Sequence, residues 1–325
     1  MTAPGAVWVY AERHGRAFRP VSLEILGHAR SVADALGTAL VALTIGPGEG
    51  PARELARYGA DDVVVVDHPL LTRYDTKLFT ELLEQELRPA APSVLLLGAT
   101  RDGQDLAGRL AVRLRTGLTA HVTSLEVNSE KQLVGWVPGF GGGIEAGVVC
   151  PHHRPAIVTV RPGVFPTPTP SSGPTGTVRL VHPALDSTAF GSRRVAYDPK
   201  GTTVDLTRSD VLVVGGRGTD GEFGRLQKLA HLIGAEVGAT RVATDAGWVE
   251  RERMIGQTGV VTHPKVAVIL GASGAVQFTV GIERAGFVIA VNRDPDAPIF
   301  ESADLGIVGD LGPIVDRLVE QLGEA

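Results

Sequence analysis

The chain has 325 residues, 43% of them hydrophobic and 21% charged, enough for two domains of ordinary size, each with a core of its own. A formal net charge of −5 excludes nucleic acid and anionic membrane surfaces as the main partners. The single cysteine, Cys150, excludes an internal disulfide and fits a reducing compartment.

Val7 to Ala11 reads as a short buried strand. Pro20 to Leu36 then carries Leu23, Ile25, Leu26, Ala29, Val32 and Leu36 at helical spacing, with Gly37 as a stop. Further strands are expected over 39–45, 62–67 and 93–98, and helices over 52–58, 76–87 and from Asp102 to about Leu114. Strands alternating with helices predict a parallel sheet covered on both faces. After Gly117 the alternation stops. Residues 118–127, 132–137, 146–150 and 156–160 are strand-like with no helix between them, and glycines at 139 and 141–143 interrupt them. They are expected to be antiparallel strands closing one edge of the first domain. The stretch 161–177, rich in Pro, Ser, Thr and Gly, reads as an extended linker. The expected division is a first α/β domain over 1–165, linker and connecting strands over 166–204, and a second domain over 205–325.

The second domain repeats the alternation: strand 211–214, helix 222–234, strand 266–270, helix 274–284, strands 287–291 and 305–308, helix 312–322. The fold class is α/β, with two doubly wound domains. Gly215-Gly216-Arg217-Gly218 lies where the first strand of this domain hands over to a helix, a seat for a phosphate-bearing cofactor at a helix N-terminus. No run approaches the ~18 apolar residues of a membrane span, and Met1 to Val7 has no signal-peptide pattern. Arg outnumbers Lys, as in GC-rich bacterial genes. The expected location is the bacterial cytoplasm, with no integral membrane segment.

Five motifs follow apolar runs in the second domain, where doubly wound sheets place their ligand loops. They are Gly238-Ala-Thr-Arg-Val-Ala-Thr-Asp-Ala-Gly-Trp248, Ile255-Gly-Gln-Thr-Gly259, Gly271-Ala-Ser-Gly-Ala-Val-Gln-Phe278, Asn292-Arg-Asp-Pro-Asp-Ala-Pro-Ile-Phe300 and Gly309-Asp-Leu311. Together they resemble the C-terminal FAD domain of the electron transfer flavoprotein alpha subunit, over nearly all of residues 205–325. The first half resembles the same family in Ala99 to Leu106, Gly117 to Ala120 and Cys150-Pro-His-His-Arg-Pro155. Those three are closest to the subfamily whose beta subunit carries a second FAD.

The resemblance implies non-covalent FAD in a Rossmann-like second domain. A fixed guanidinium stabilises the negative charge that reduced flavin gains, and the resemblance puts Arg217 at the strand end against the cofactor and Arg241 beside the isoalloxazine. Thr240 stands where the family has Ser. Ile255, Gly256 and Gln257 surround Thr258, whose hydroxyl is implied to reach flavin N5. Ser273, Gly274 and Ala275 are implied to face the pyrophosphate, followed by Val276 and Gln277, while Asn292, Asp310 and Leu311 serve the adenosine end. Phe278 departs from the pattern: many relatives carry a His that donates to flavin C2=O. Its loss removes a charge-assisted bond of about 1.5–3 kcal/mol, so the one-electron-reduced flavin is expected to be less stabilised here. Outside those motifs, any lone Arg is most simply a solvated side chain.

His152-His153 beside Cys150 matches no zinc spacing, and Asp102, Asp105 and Arg109 read as a solvated helix start. The implied partners are a beta subunit in a heterodimer, flavin dehydrogenases as donors and a quinone oxidoreductase as acceptor, in an electron carrier rather than an enzyme. The first domain is expected to pack on the beta subunit, and the second to swing on the linker. Two alternatives stay open: an electron-bifurcating complex with NADH as donor, and a non-redox nucleotide-binding interaction module.

Overall fold

The computed structural model describes residues 5–323 except 16, 140–143, 172–175, 187, 191 and 193–203. The chain divides into two compact units, Met1–Tyr197 and Asp198–Ala325.

The first unit is built on a seven-stranded parallel sheet. Strand β1 (Val7–Tyr10) is followed by a small hairpin, β2 (Arg13–His14) and β3 (Ala17–Phe18), and by helix α1 (Pro20–Leu36). Then come β4 (Leu40–Ile45), α2 (Ala52–Arg57), β5 (Asp62–Val66), α3 (Thr76–Ala90), β6 (Val94–Gly98) and α4 (Arg101–Leu114). Helix α1 starts on a Pro, whose missing N–H costs nothing in the first turn, and ends at Gly37 in the left-handed region, φ 68°. Asp75 caps α3 and Thr100 caps α4 through their side chains, each cap stabilising its helix by roughly 1 kcal/mol. The strands are mostly apolar and buried because both sheet faces are covered: α1 and α2 with Val9, Ile25, Leu55 and Val63 on one face, α3 and α4 with Trp8, Leu43, Leu83 and Leu95 on the other.

Beyond α4 the sequence-based expectation is corrected. Strands β7 (Leu118–Val122) and β11 (Ala156–Val160) are parallel members of the main sheet, ordered β12-β5-β4-β1-β6-β11-β7. Only β8 (Ser124–Val127), β9 (Leu133–Gly139) and β10 (Ile144–Val149) are antiparallel, and they form a separate three-stranded sheet. A parallel neighbour needs a long crossover, usually a helix; here the antiparallel excursion returns the chain to the start of β11 in its place. Residues 140–143 of the 139–143 glycine cluster lie outside the described residues.

The expected extended linker lies against the first unit over its described part. Residues 161–171 pack along α1 and α2: Gly163 N–H donates to Glu24 at 2.8 Å, Phe165 stacks on His28 with centroids 3.9 Å apart, and Arg57 and Ser171 exchange two hydrogen bonds. The chain then enters β12 (Thr177–Val181), paired with β5 in the main sheet. Leu185, Ala189 and Phe190 pack against the α3–α4 face. Pro, Ser and Gly in this stretch serve a tight strap over helices, not free chain. The first unit therefore continues past residue 165, and its boundary falls among 193–203, outside the described residues.

The second unit holds a five-stranded parallel sheet ordered β14-β13-β15-β16-β17. Its elements are β13 (Val211–Gly215), α5 (Phe223–Leu232), β14 (Glu236–Ala239), α6 (Arg241–Asp245), β15 (Val266–Leu270), α7 (Val276–Thr279), β16 (Phe287–Asn292), β17 (Leu305–Val308) and α8 (Leu311–Gly323). Helices α5 and α8 cover one face with Phe223, Leu226 and Val315. The loops around Ile255, Phe278, Ile282 and Ile299 cover the other. Strand β14, which periodicity did not show, spans only four residues, Glu-Val-Gly-Ala. The helix expected over 274–284 is the single turn α7, because Ala275 is extended (φ −56°, ψ 139°) and Gly274 sits at φ 84°.

Candidate functional site

In a doubly wound sheet, loops gather at the carboxyl ends of the strands, and the motif residues of the second unit lie at those ends or, for Ile255–Gly259, in a loop tied back to the end of β14. The first strand end does not work as expected. Gly216 N–H donates to Leu270 O at 2.9 Å and Gly218 N–H to Gly271 O at 2.8 Å. Both donors are spent on the neighbouring turn, and α5 begins only at Phe223, after Asp220 and Gly221 in the left-handed region. The glycines lock two loops together and offer no phosphate seat at a helix N-terminus. Arg217, between them, is exposed.

After β14, Thr240 N–H donates to Gly215 O at 2.9 Å, and the half-buried Thr240 side chain makes no capping bond to α6. Arg241 opens α6 with its side chain 72% exposed, and its Nε meets Asp245 Oδ2 at 3.2 Å one turn on. The i, i+4 spacing of Arg241 and Asp245 is legible in sequence and marks a pair that sequence reasoning missed. Ile255 N–H then donates to Ala239 O at 2.9 Å, tying the next motif to the end of β14. Gly256 bonds Val260 O at 3.1 Å, and Gln257 N–H donates to Gln277 O at 2.7 Å. Gln257 and Thr258 stand exposed at the tip of this small loop.

After β15, Ser273, Ala275, Val276 and Gln277 are exposed, and Ser273 O accepts the Ile299 N–H at 3.1 Å. Asn292, at the end of β16, uses both ends of its amide internally: Nδ2 donates to Ala272 O at 2.9 Å and Oδ1 accepts Asp294 N–H at 3.0 Å. It shapes the adjoining loop. Asp310 lies two residues beyond β17 and caps α8 by accepting Gly312 N–H at 2.9 Å, with Leu311 half-buried beside it. Gly274 is buried in this cluster, and two expected contact residues belong to the core. Ile255 is 2% exposed and Phe278 6% exposed, both packed with Leu212, Ala272 and Ile282.

The donors along this edge are two guanidiniums, Arg217 and Arg241, the carboxamides of Gln257 and Gln277, and the hydroxyls of Thr240, Thr258 and Ser273; a carboxylate, Asp310, lies at the far end. From β14 to β17 the edge crosses four strand spacings, about 19 Å. A long edge that offers two cations and several neutral donors, with the Asp310 carboxylate at its far end and Asp245 paired to Arg241, fits an extended dinucleotide whose middle is anionic and whose heteroaromatic end carries acceptor atoms. These residues fit FAD.

The other candidates resolve into structure. Asp105 accepts from Tyr74 at 2.6 Å and from Thr76, and pairs with Arg109 at 3.4 Å, joining α3 to α4. The Tyr74 hydroxyl is pushed well above its ordinary value by burial and by this carboxylate. Cys150 donates to His153 O at 3.4 Å. Among the described residues no three of His, Cys, Asp and Glu come together as a metal site.

Comparison with known proteins identifies the family. A family model described as the electron transfer flavoprotein domain matches residues 7–186, and one described as the electron transfer flavoprotein FAD-binding domain matches 205–283. These two matches put the chain in the class of electron transfer flavoproteins with an FAD-binding domain. The chain is 38% identical over 321 residues to the electron transfer flavoprotein subunit alpha of Thermoanaerobacterium thermosaccharolyticum, covering 97% of each. It is 38% identical over 322 residues to the FixB protein of Clostridium saccharobutylicum, covering 98% of this chain and 96% of the relative. The LctC subunit of the lactate dehydrogenase (NAD(+),ferredoxin) of Acetobacterium woodii is 37% identical over 97% of this chain and 76% of its own length. The chain belongs to the electron transfer flavoprotein alpha-subunit family, whose FAD-binding domain it carries. No helix among the described residues is long and apolar enough to cross a membrane.

Proposed function

We propose that this chain is the FAD-holding subunit of a heterodimer with an electron transfer flavoprotein beta subunit, in the bacterial cytoplasm. It takes electrons from flavin dehydrogenases and passes them to a quinone-linked acceptor, as a carrier with no substrate of its own. The observation that carries the reading is the single sheet edge on which Arg217, Arg241, Gln257, Thr258, Ser273 and Gln277 stand exposed together. FAD bound there supplies the one- and two-electron exchange. Arg241, steadied by Asp245, keeps a positive charge at the open end of the edge and lowers the cost of negative charge arriving there. Thr258 and Gln257 present hydroxyl and amide donors from a loop held by backbone bonds, so they need little reorganisation. Asp310, fixed by the start of α8, presents a carboxylate to a ribose hydroxyl. The first unit supplies the surface that packs on the beta subunit.

The similarity to the LctC subunit favours a second reading, in which the complex bifurcates electrons from NADH with a second FAD in the beta subunit. One experiment separates the two: FAD stoichiometry and a stepwise reductive titration on the chain purified with its beta subunit. One FAD per heterodimer, unreactive with NADH, supports the simple carrier. Two FAD reduced by NADH support bifurcation, and an absence of flavin sinks both.

A further inference from the structure

Two segments of the candidate edge, distant in sequence, share one backbone seam. Gly256 sits at φ 135°, and a Cβ on it would lie 2.4 Å from Gln277 O. Gly281, just past α7, faces the same residue: its Cβ would lie 2.4 Å from Gly256 N and 2.7 Å from Gly256 Cα. Both contacts are backbone against backbone, so no side chain can swing away to admit a methyl group. Thr262 closes the seam. It is fully buried and donates twice to Gly281 O, through its N–H at 2.9 Å and its hydroxyl at 3.0 Å. A buried hydroxyl is sited by its hydrogen bond, because no water replaces the partner if the two segments separate. The offset between the Gln257–Thr258 tip and the Gln277 turn is thereby set by two glycines and one threonine. Gly281 and Thr262 are themselves buried.

We infer that Gly281 and Thr262 are positioning residues that fix the Gln257–Thr258 tip against Gln277, and so set the environment of the flavin end of the cofactor. The inference rests on the assignment of this tip to the flavin end. Gly281→Ala is made in the full-length chain expressed with its beta subunit, and FAD affinity, flavin absorbance, midpoint potential and ADP affinity are measured. The expected result is FAD binding about tenfold weaker or more, with a shifted absorbance envelope and potential. ADP affinity should stay within about twofold of the parent, since Asp310 at the adenosine end follows β17, two strands from β15, and shares no partner with the seam. Parental FAD affinity and potential overturn the inference, and so does an equal loss of ADP binding, which marks general damage. Should Gly281→Ala not fold, Thr262→Val removes only the hydroxyl bond. Its potential should shift and Thr262→Ser should restore it, whereas a parental potential in Thr262→Val overturns the inference. Thr258→Val separates the two levels. If it leaves FAD affinity and potential untouched, the site assignment fails and the inference falls with it; if it acts while Gly281→Ala is silent, the inference alone fails.

Discussion

The Arg241 guanidinium meets the Asp245 carboxylate at 3.2 Å across one turn of α6, with both side chains more than half exposed. The pair contributes little to folding, since exposed ion pairs contribute about 0–1 kcal/mol. Its consequence is electrostatic: Asp245 holds the one cation of α6 in place and partly offsets its charge.

Arg241→Ala should therefore leave the melting temperature nearly unchanged and lower the two-electron potential of bound FAD. A charge-assisted bond of about 1.5–3 kcal/mol, taken at its low end for an exposed group, corresponds to roughly 30 mV. Asp245→Asn should move the potential the other way, because the cation is no longer offset. Redox titration of both variants checks the pair of signs. Shifts of the same sign would sink the argument.

Phe278→His places a polar ring among Leu212, Ala272 and Ile282. Burying it without a partner should destabilise the cofactor-free second unit by about 1–3 kcal/mol. With FAD bound, an added donor should move the two one-electron potentials relative to each other. Calorimetry of the free form and a stepwise reductive titration of the loaded form measure the two effects. Unchanged one-electron potentials would count against placing this position near the flavin.

Burial raises the Glu24 carboxyl above its ordinary value, and the Gly163 N–H opposes this only in part. A carboxyl with a raised folded pKa contributes stability that is complete below the unfolded value and lost as pH rises through the folded value. Glu24→Gln removes that loss while its amide oxygen still accepts from Gly163. The variant should melt above the parent at pH 7, and the advantage should vanish near pH ~4, where both forms are neutral. Melting curves across this range decide it. An advantage that grows toward acid would show the sign to be wrong.

Phe165→Ala removes the ring stacked on His28, 2° from parallel. The stack is worth about 0.5–1.5 kcal/mol beyond the area buried, so the 161–171 strap should open more often. Amide hydrogen exchange over this segment should speed up several-fold, while the core of α1 keeps its protection. Unaltered exchange in the strap would show that Glu24 and Arg57 suffice to hold it.

The residues that local rules govern were the legible ones. Pro20 and Gly37 bound α1 because a missing N–H and a left-handed φ are properties of those residues alone. The buried strands Leu40–Ile45 and Val266–Leu270 show as apolar runs because both sheet faces are covered. The motif residues after β15, β16 and β17 could be picked out for the same reason, as each follows such a run.

What depended on distant partners was not legible. Leu118–Val122 and Thr177–Val181 carry mixed burial and join the parallel sheet through ladders to Ile157 and Asp62, far away in sequence. Proline and glycine at 161–171 look the same in free chain and in a strap, and only packing on α1 separates them. Gly216 and Gly218 have the composition of a phosphate turn, but their N–H groups are spent on Leu270 O and Gly271 O. By itself the sequence determined the periodic elements and the motifs that carry the family resemblance, since these depend on residue type and short spacing. Only the tertiary structure decided which strands pair, which donors remain open along the edge, and that Phe278 lies in the core. Each of those depends on what another part of the chain brings within hydrogen-bond or van der Waals reach.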